Sequence, residues 1–447
     1  MSFRRALGPF DATMVVVGGI IGSGIFINPH LVAQRLSSGT AVLAAWIVGG
    51  AIALAGAFAF AELATLFPRA GGEYVYLREA YHPLVAFLFG WASLLMIQGG
   101  GLAAVAIAFA EYALRLTGRS PSGATMLAVV SIAVVAAINV LGVKPGSRLL
   151  NVLVILKLAA LAILIGGGLL LSRPAAASPA AVSAGGAGFA AFGAALVPIF
   201  FTYGGWQSVN LVSEETRDPK RTLPIALMAG IAIVIAVYLL ANMVYLLVLS
   251  RPGLAATATP AAEAVRQIFG AGSDRLISAA IAISAFGFLD LTLLAQTRIY
   301  YAMGKDGVFF PSLGTLHPRF QTPAVAILLQ AAWGIVLVLT GTYGELVDSV
   351  VFGDAIFFAL TVAGILIFRR RFPVEKREPG TFRSPLYPVL PVLFVAATVG
   401  IVASTIASNP RRSAFGAALL AVGVPFYFWF TRRNRSQAPG SHLTEEP

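Results

Sequence analysis

The sequence reads Gly18-Gly19-Ile20-Ile21-Gly22-Ser23-Gly24-Ile25-Phe26 in the middle of its first long apolar run, residues 10–36. A helix of about 20 residues already crosses about 30 Å of hydrocarbon, so this run is too long for one straight span. Glycine costs about 1 kcal/mol more than alanine inside a helix, which predicts a break in mid-membrane. Backbone groups freed by such a break are tolerated in lipid only where they line a cavity. We therefore expect the ligand site here.

The composition is typical of a protein embedded in the lipid bilayer. Of 447 residues, 58% are hydrophobic and only 11% are charged, whereas soluble domains carry about 25% charged residues. There is no cysteine, which excludes disulfides and thiolate metal sites. We expect an all-α polytopic membrane protein of the inner or plasma membrane.

Apolar runs separated by polar turns predict about twelve transmembrane helices within one membrane domain, residues 1–431. A flexible linker is expected at 173–188 and a disordered tail at 432–447, because both are polar or rich in small residues. The predicted spans cover residues 10–36, 41–67, 84–116, 122–142, 148–172, 189–215, 223–250, 273–303, 322–342, 346–368, 386–407 and 412–431.

Positive charge is distributed unequally between the two sides of this predicted bundle. Most of the 31 lysines and arginines fall on the side of the N terminus. An even number of spans brings both termini to that side, and the positive-inside rule makes it cytoplasmic. The same asymmetry explains the net charge of +12 without a nucleic-acid partner, which we do not expect.

A second glycine-interrupted run lies five spans after the first. Span six contains Phe200-Phe201-Thr202-Tyr203-Gly204-Gly205-Trp206-Gln207-Ser208. Matching breaks in two halves indicate the binding site of an inverted-repeat transporter. The repeats would cover residues 10–172 and 189–368, with peripheral helices at 386–431. The alternative is that these glycines only allow close helix packing.

Several motifs resemble the amino acid–polyamine–organocation superfamily of transporters, nearest its L-type amino acid transporter branch. The resemblance covers roughly residues 8–370, with the motifs in the family's order. It implies a 5+5 inverted repeat of the leucine-transporter type with discontinuous helices 1 and 6, and amino acid transport by alternating access. The motifs are Gly19-Ile20-Ile21-Gly22-Ser23-Gly24-Ile25-Phe26, Glu62-Leu63 with Gly71-Gly72-Glu73-Tyr74, Phe201-Thr202-Tyr203-Gly204-Gly205-Trp206 with Ser213-Glu214-Glu215, and Gly304-Lys305-Asp306-Gly307 with His317-Pro318.

An α-amino acid zwitterion matches the backbone groups freed at the two breaks. The N-terminus of a half-helix offers free amides and partial positive charge, which suits a carboxylate. The expected donors are the amides of Ser23, Gly24 and Ile25, with the Ser23 hydroxyl. The expected acceptors for the ammonium group are carbonyls of Ile20, Phe201, Thr202 and Gly204.

Two aromatic residues flank the second break. Phe201 and Trp206 are candidates for the gate and the side-chain pocket. The resemblance implies that an aromatic at the position of Phe201 occludes the substrate. Core packing is the alternative for each of them.

Lys157 is the one cation deep inside a predicted span. It lies nine residues beyond Arg148, about 13 Å at the helical rise, which exceeds comfortable snorkelling. The resemblance implies that this lysine takes the place of a sodium ion and binds carbonyls around Gly18 to Ile21. We therefore expect sodium-independent transport with Lys157 in a coupling role. Pairing with a fixed carboxylate is the alternative.

Carboxylates in the spans leave the substrate class open. Asp290 and Asp354 lie well inside spans eight and ten, where they would recognise a cationic side chain, carry a proton or stay neutral. Asp290 is included among the expected substrate-binding residues. Glu62, Glu214 and Glu215 lie near cytoplasmic span ends, and we expect them to pair with the cluster at 217–221 or with loop residues as an inner gate.

These observations predict an exchanger or secondary active transporter of L-amino acids, with neutral substrates favoured. The alternatives are a cationic amino acid or polyamine permease, with or without proton coupling, and a channel, because broken helices also build pores. The four histidines lack metal-ligand spacing and no Walker A pattern occurs. We expect no catalytic residues, no cofactor and no metal, and a partner subunit remains an open question.

Overall fold

The computed structural model describes residues 7–68, 71–117, 121–141, 143–171, 188–257, 259–341, 343–373, 377–408 and 410–437. Within these ranges the chain is helical and forms no β-strand; a single bridge joins Leu7 to Thr216. The predicted linker falls almost entirely outside the described residues, as do residues 438–447 of the predicted tail.

Eighteen α-helices are formed by the described residues. They are α1 Pro9–Ile20, α2 Gly24–Arg35, α3 Gly39–Leu66, α4 Glu73–Ala80, α5 Pro83–Ala92, α6 Gln98–Leu116, α7 Ala124–Leu141, α8 Val143–Leu171, α9 Phe189–Tyr203, α10 Ser208–Leu211, α11 Pro219–Ala256, α12 Pro260–Phe269, α13 Asp274–Leu291, α14 Thr297–Lys305, α15 Ala324–Thr340, α16 Tyr343–Arg371, α17 Val389–Ser408 and α18 Pro410–Gln437.

The helices have the length and apolarity of a polytopic membrane protein. In the described part of the chain, ten helical segments are long and apolar enough to cross a bilayer, and the bent pair of α1 and α2 makes eleven. The remaining predicted span coincides with α15, a shorter apolar helix. The fold class is therefore confirmed, while the count of twelve spans stays a prediction. Helix α18 continues to Gln437, past the predicted start of the tail at residue 432.

Helices α1 and α2 are separated by three residues and their axes differ by 42°. Helix α9 likewise ends at Tyr203, and α10 begins only at Ser208. The two interruptions touch, since a Cβ placed on Gly205 would lie 2.1 Å from the carbonyl oxygen of Gly19. Gly205 also has φ of +105°, in the region that favours glycine. Both glycines are thus required for close backbone contact.

A further pair of irregularities lies beside these interruptions. One π-helical turn, Ser93–Ile97, joins α5 to α6, and another, Thr292–Gln296, joins α13 to α14. Single π-turns inside α-helices often mark functional sites. The two turns occupy predicted spans three and eight, five spans apart like the glycine breaks.

The interrupted helices are surrounded by the rest of the bundle. Helix α1 packs against α8, α11 and α13, whereas α2 packs against α9 and α11. The last two apolar helices are the least enclosed, since only 28% of the apolar stretch of α17 and 22% of that of α18 is buried. These are the lowest values of the ten apolar segments, which supports a peripheral position for both helices.

Candidate functional site

A cavity lies between the two helix interruptions and the π-turns. Its volume is about 60 Å³, whereas one enclosed water needs about 10–15 Å³, so the space suits a small molecule of several heavy atoms. The lining residues come from both interruptions and from predicted spans three, eight and ten. They are Gly19, Ile20, Gly22, Ser23, Gly24, Ile97, Gln98, Gly101, Val105, Phe201, Thr202, Gly204, Gly205, Gln207, Ser208, Phe288, Leu291, Thr292, Gln296, Val350 and Asp354.

The start of α2 presents hydrogen-bond donors to this cavity. Ser23 is the N-cap residue, so the first amides of α2 have no acceptor within the helix. The Ser23 side chain is 1% exposed, and its hydroxyl has no partner among the described residues. Gly24 lines the cavity, whereas Ile25 is buried behind it. The site therefore offers an unused hydroxyl beside positive helix-end charge.

The predicted carbonyl acceptors are not all equally free. The Ile20 oxygen accepts from the Gly22 amide at 2.9 Å and lies 3.0 Å from the Tyr238 hydroxyl. The Tyr238 hydroxyl also lies 3.3 Å from the carbonyl oxygen of Thr202. Its single proton is therefore shared between one carbonyl of each interruption. Each carbonyl oxygen has two lone pairs and so accepts up to two hydrogen bonds. The Ile20 oxygen already has two donors nearby, whereas the carbonyl oxygens of Phe201, Thr202 and Gly204 can still accept a hydrogen bond.

Tyr238 is a structural residue that sequence reasoning missed. It is completely buried in α11 and joins the two interruptions through its hydroxyl. The sequence did contain an indication of this role, because a tyrosine in the middle of an apolar span needs an acceptor for its hydroxyl.

Thr202 and Gly24 form a close helix contact at the edge of the cavity. The Thr202 hydroxyl donates to the Pro198 carbonyl at 2.6 Å and accepts from the Asn28 side chain at 2.7 Å. A Cβ on Gly24 would meet this hydroxyl at 2.9 Å and the Thr202 Cα at 3.2 Å. Gly24 is therefore needed for packing as well as for access to its amide.

The two aromatic candidates lie in different surroundings. Phe201 is half-buried and lines the cavity, and its gating role stays a prediction. Trp206 is not a lining residue, because its ring packs against Phe60 and Phe358, with centroids 4.8 and 5.4 Å away. The structure therefore gives Trp206 the packing role that the sequence left as an alternative.

Lys157 is fully buried and directed at the first interruption. Its Nζ donates to the Ile21 carbonyl oxygen at 2.7 Å and lies 3.5 Å from the Gly18 oxygen. Within the described ranges no carboxylate forms an ion pair with it. The Lys157 ammonium therefore makes the carbonyl contact that the resemblance implies, rather than the alternative fixed pair.

The two carboxylates inside the membrane spans lie in different surroundings. Asp290 faces α7, where its Oδ1 accepts from the Asn139 side chain at 2.8 Å, and it does not line the cavity. Asp354 does line the cavity. The expectation that Asp290 contacts substrate therefore needs correction, since its helix turns that carboxylate toward another neighbour.

Polar side chains that sequence reasoning did not assign occupy one side of the cavity. Gln207 accepts from the Gly205 amide at 3.0 Å, and Gln296 donates to Ser208 at 3.1 Å. Gln98 and Thr292 complete this set. Their positions in the sequence could have indicated a role at the site, because these residues directly follow or adjoin the glycine break and the π-turns.

Two of the glutamates near the span ends, Glu62 and Glu215, form ion pairs with arginines outside the cluster at 217–221. Glu62 accepts two bonds from Arg369, at 2.9 and 2.7 Å, and one from Arg377 at 2.7 Å. Glu215 accepts from Arg298 at 2.9 and 2.5 Å. The loop alternative is thus met by Arg377 for Glu62, whereas Arg369 of α16 and Arg298 of α14 stand where the cluster at 217–221 was expected.

These features define a class: a polytopic all-α membrane protein whose central cavity is formed by two touching helix interruptions. The chain belongs to the amino acid permease family, since the profile of that family matches residues 7–429. Membership confirms the superfamily resemblance and makes the protein an amino acid transporter rather than an enzyme.

Characterised relatives match over almost the whole chain. The serine/threonine exchanger SteT of Bacillus subtilis is 29% identical over 97% of this chain and 98% of its own length. The human b(0,+)-type amino acid transporter 1 is 32% identical, covering 96% of this chain and 88% of the relative. The human cystine/glutamate transporter is 29% identical, covering 96% and 86%.

Proposed function

We propose that the protein exchanges or accumulates L-amino acids by alternating access, without sodium, across the cytoplasmic membrane with both termini inside. The observation that carries this proposal is the Lys157 ammonium, 2.7 Å from the Ile21 oxygen at the first interruption. Serine, threonine and other amino acids appear in the names of the matching transporters, and the first of these is an exchanger.

Substrate recognition rests on backbone groups and one hydroxyl. The amino acid carboxylate binds at the start of α2, where the Ser23 hydroxyl is unpartnered and the helix end carries partial positive charge. The ammonium group binds carbonyls of Phe201, Thr202 and Gly204. This arrangement needs no charged side chain, so it favours the zwitterionic part shared by all α-amino acids.

Lys157 accounts for transport without sodium. Its Nζ already occupies carbonyls that a metal ion would otherwise use, so it takes the place of a sodium ion there. Because Ile21 lies between α1 and α2, the contact also couples α8 to the tilt of the first half-helix. Substrate binding at α2 therefore changes the contact between Lys157 and the Ile21 carbonyl.

Small neutral amino acids are the favoured substrates. The cavity holds about 60 Å³, which accommodates a side chain like that of alanine, serine or threonine better than a large aromatic one. A cationic amino acid or polyamine is the second candidate, because the Asp354 carboxylate lines the same cavity. Competition by lysine, arginine or putrescine against alanine or leucine separates the two.

The test is uptake of labelled amino acid into proteoliposomes, with and without internal amino acid and sodium. We expect saturable uptake that internal amino acid accelerates and sodium does not change. Lys157→Ala protein of normal size-exclusion profile should lose about tenfold or more in uptake, because the carbonyls of Ile21 and Gly18 lose their donor. Strict sodium dependence, or full uptake by the variant, contradicts the proposal, and single-channel conductance identifies a channel instead.

A further inference from the structure

Two glutamines give the cavity a polar wall on one side of the interruptions. Gln207 and Gln296 both line the cavity. Beyond Gln207 the chain continues to Glu215. Beyond Gln296 it continues to Arg298, which forms an ion pair with Glu215. The polar wall therefore lies on the side of the cavity that leads to this ion pair.

Asp354 belongs to the same side of the cavity. It follows Val350 by four residues, so both lie on one face of α16, and both line the cavity. Phe358 lies one turn further along this face, and its ring centroid is 5.4 Å from that of Trp206, the residue before Gln207. The turn of α16 that carries Asp354 therefore packs beside the second interruption.

The Asp354 carboxylate has no partner among the described residues. None of them forms a hydrogen bond or an ion pair with it. Of the described residues that line the cavity it is the one charged residue, so no lysine or arginine faces it there. A carboxylate inside a membrane bundle is costly without a partner, which favours a site where a ligand supplies one.

The cavity offers more polar groups than the zwitterionic part of an amino acid uses. In the proposed function the substrate carboxylate binds the Ser23 hydroxyl, which is buried and also without a partner among the described residues. The substrate ammonium group binds the carbonyls of residues 201–204. Asp354, Gln207 and Gln296 then remain, and the substrate side chain is left to pair with them.

Each of the two glutamines has half of its amide group free. Gln207 Oε1 accepts from the Gly205 amide at 3.0 Å, which leaves the NH₂ group of Gln207. Gln296 Nε2 donates to the Ser208 hydroxyl at 3.1 Å, which leaves the Gln296 oxygen. With Asp354, the free groups are thus both acceptors and donors. A side chain that donates and accepts satisfies this mixture, whereas an ammonium group only donates.

The size of the cavity limits the length of that side chain. Its volume is about 60 Å³, which does not suit the long side chain of lysine or arginine once the zwitterionic part is bound. A hydroxyl is the smallest group that both donates and accepts a hydrogen bond. Size and hydrogen bonding therefore favour the same side chain.

We propose that Asp354 determines the specificity of the cavity and selects amino acids whose short side chain carries a hydroxyl group. The hydroxyl donates a hydrogen bond to the Asp354 carboxylate and accepts one from Gln207. An amino acid with a methyl group in its place leaves the carboxylate without a partner and is rejected. The inference rests on the proposed transport function and names the side chain that the same site prefers.

The experiment measures competition against labelled alanine in proteoliposomes that contain the full chain. Threonine is compared with valine, and serine with 2-aminobutyrate, since within each pair a hydroxyl replaces a methyl group. In wild type the hydroxyl member should compete at a concentration at least about tenfold lower, because the other member forms no bond to the charged group. Isothermal titration of purified protein gives the same ratio for a variant that binds without transport.

Asp354→Leu should reduce this ratio to about one, whatever its rate of alanine uptake, because leucine has a similar shape and no acceptor. Asp354→Asn keeps one uncharged acceptor oxygen and should lower the ratio about threefold or more, which keeps the test open if Asp354→Leu does not fold. Asp290→Asn is the matched control. Asp290 lies outside the cavity and accepts from Asn139, so the wild-type ratio should persist.

Four results overturn the inference: equal competition within each pair in wild type, an unchanged ratio in Asp354→Leu, an unchanged ratio in Asp354→Asn, or an equal loss in Asp290→Asn. Each leaves amino acid transport standing. Lysine or putrescine that competes better than threonine, but not in Asp354→Leu, also overturns it and assigns the carboxylate to a cationic side chain. A wild-type protein that takes up no amino acid removes the proposed function itself, so the two failures are distinguishable.

Discussion

At the scale of single residues, the proposed site contains a buried hydroxyl that has no partner among the described residues. This hydroxyl belongs to Ser23 at the start of α2, and Lys157 satisfies the Ile21 carbonyl at the same interruption. A buried hydroxyl left without a partner costs about 1–3 kcal/mol. A carboxylate that accepts this hydroxyl recovers that free energy, which makes Ser23 a residue for affinity rather than for folding.

We therefore predict that Ser23→Ala raises the Kd for alanine about tenfold or more, because a hydrogen bond to a charged group contributes about 1.5–3 kcal/mol. Thermal stability should stay the same or increase, since an unsatisfied buried hydroxyl is removed. Isothermal titration in detergent measures the first effect. Ser131→Ala is the control, because Ser131 is buried in α7 and donates to Ala128; an equal loss of affinity there contradicts the role of Ser23.

At the scale of elements, the two helix interruptions act as one unit. Gly19 and Gly205 are in backbone contact, and the Tyr238 hydroxyl joins the carbonyls of Ile20 and Thr202 across them. Neither interrupted helix therefore changes its tilt without disturbing the other. Alternating access in this protein is accordingly expected to move α1 together with α9 and α10.

We predict that Gly205→Ala destabilises the protein by at least about 2 kcal/mol and abolishes alanine binding, because the new Cβ meets a carbonyl oxygen at a left-handed φ. Melting in detergent and equilibrium binding measure the two effects. Gly400→Ala in α17 is the control, since its Cβ meets nothing within 4 Å. Normal binding by Gly205→Ala would show that the interruptions do not need to touch.

At the scale of the whole molecule, one end of the bundle is fastened by buried ion pairs. Glu62 at the end of α3 holds Arg369 of α16 and Arg377 of the following segment, and also accepts from the Ser384 amide at 2.8 Å. Glu215 and Arg298 form a second pair nearby. Because these bonds connect α3 to α16 and the turn after α10 to α14, we propose that they form a gate at the proposed cytoplasmic end.

We predict that Glu62→Gln lowers the free energy of unfolding by about 3–5 kcal/mol, because it leaves buried guanidinium groups without their charge partner. The same substitution should open the proposed cytoplasmic end of the bundle. The absence of native cysteine permits a single Ser208→Cys reporter in the cavity. Its reaction with a membrane-impermeant thiol reagent from the α4 side should become faster in Glu62→Gln.

Glu263→Gln is the comparison for Glu62→Gln. Its pair with Arg266 is partly exposed, and the hydrogen bond from Arg266 holds the pKa of the Glu263 carboxyl below its ordinary value. An exposed pair contributes about 1 kcal/mol or less, so neither stability nor labelling should change much. Equal labelling rates in the Ser208→Cys reporter with and without the Glu62→Gln substitution contradict the gate.

Some of the site followed from local sequence and some did not. Glycine and serine at residues 18–26 and 203–205 predicted the interruptions, because backbone freedom is a property of the residue itself. The roles of Asp290, Asp354 and Trp206 did not follow. Each depends on the rotation of a helix that is apolar all round, so no amphipathic pattern marks its inner face.

Composition and local backbone preference were enough to predict the membrane class, the apolar runs and the two interruptions, and the motifs indicated the family. The fold was needed to establish which carboxylate lines the cavity and which arginines hold Glu62. The physical reason is that lipid and protein interior are equally apolar, so hydrophobicity does not specify the facing of a membrane helix. Packing of small residues and buried polar bonds between distant helices specifies it instead.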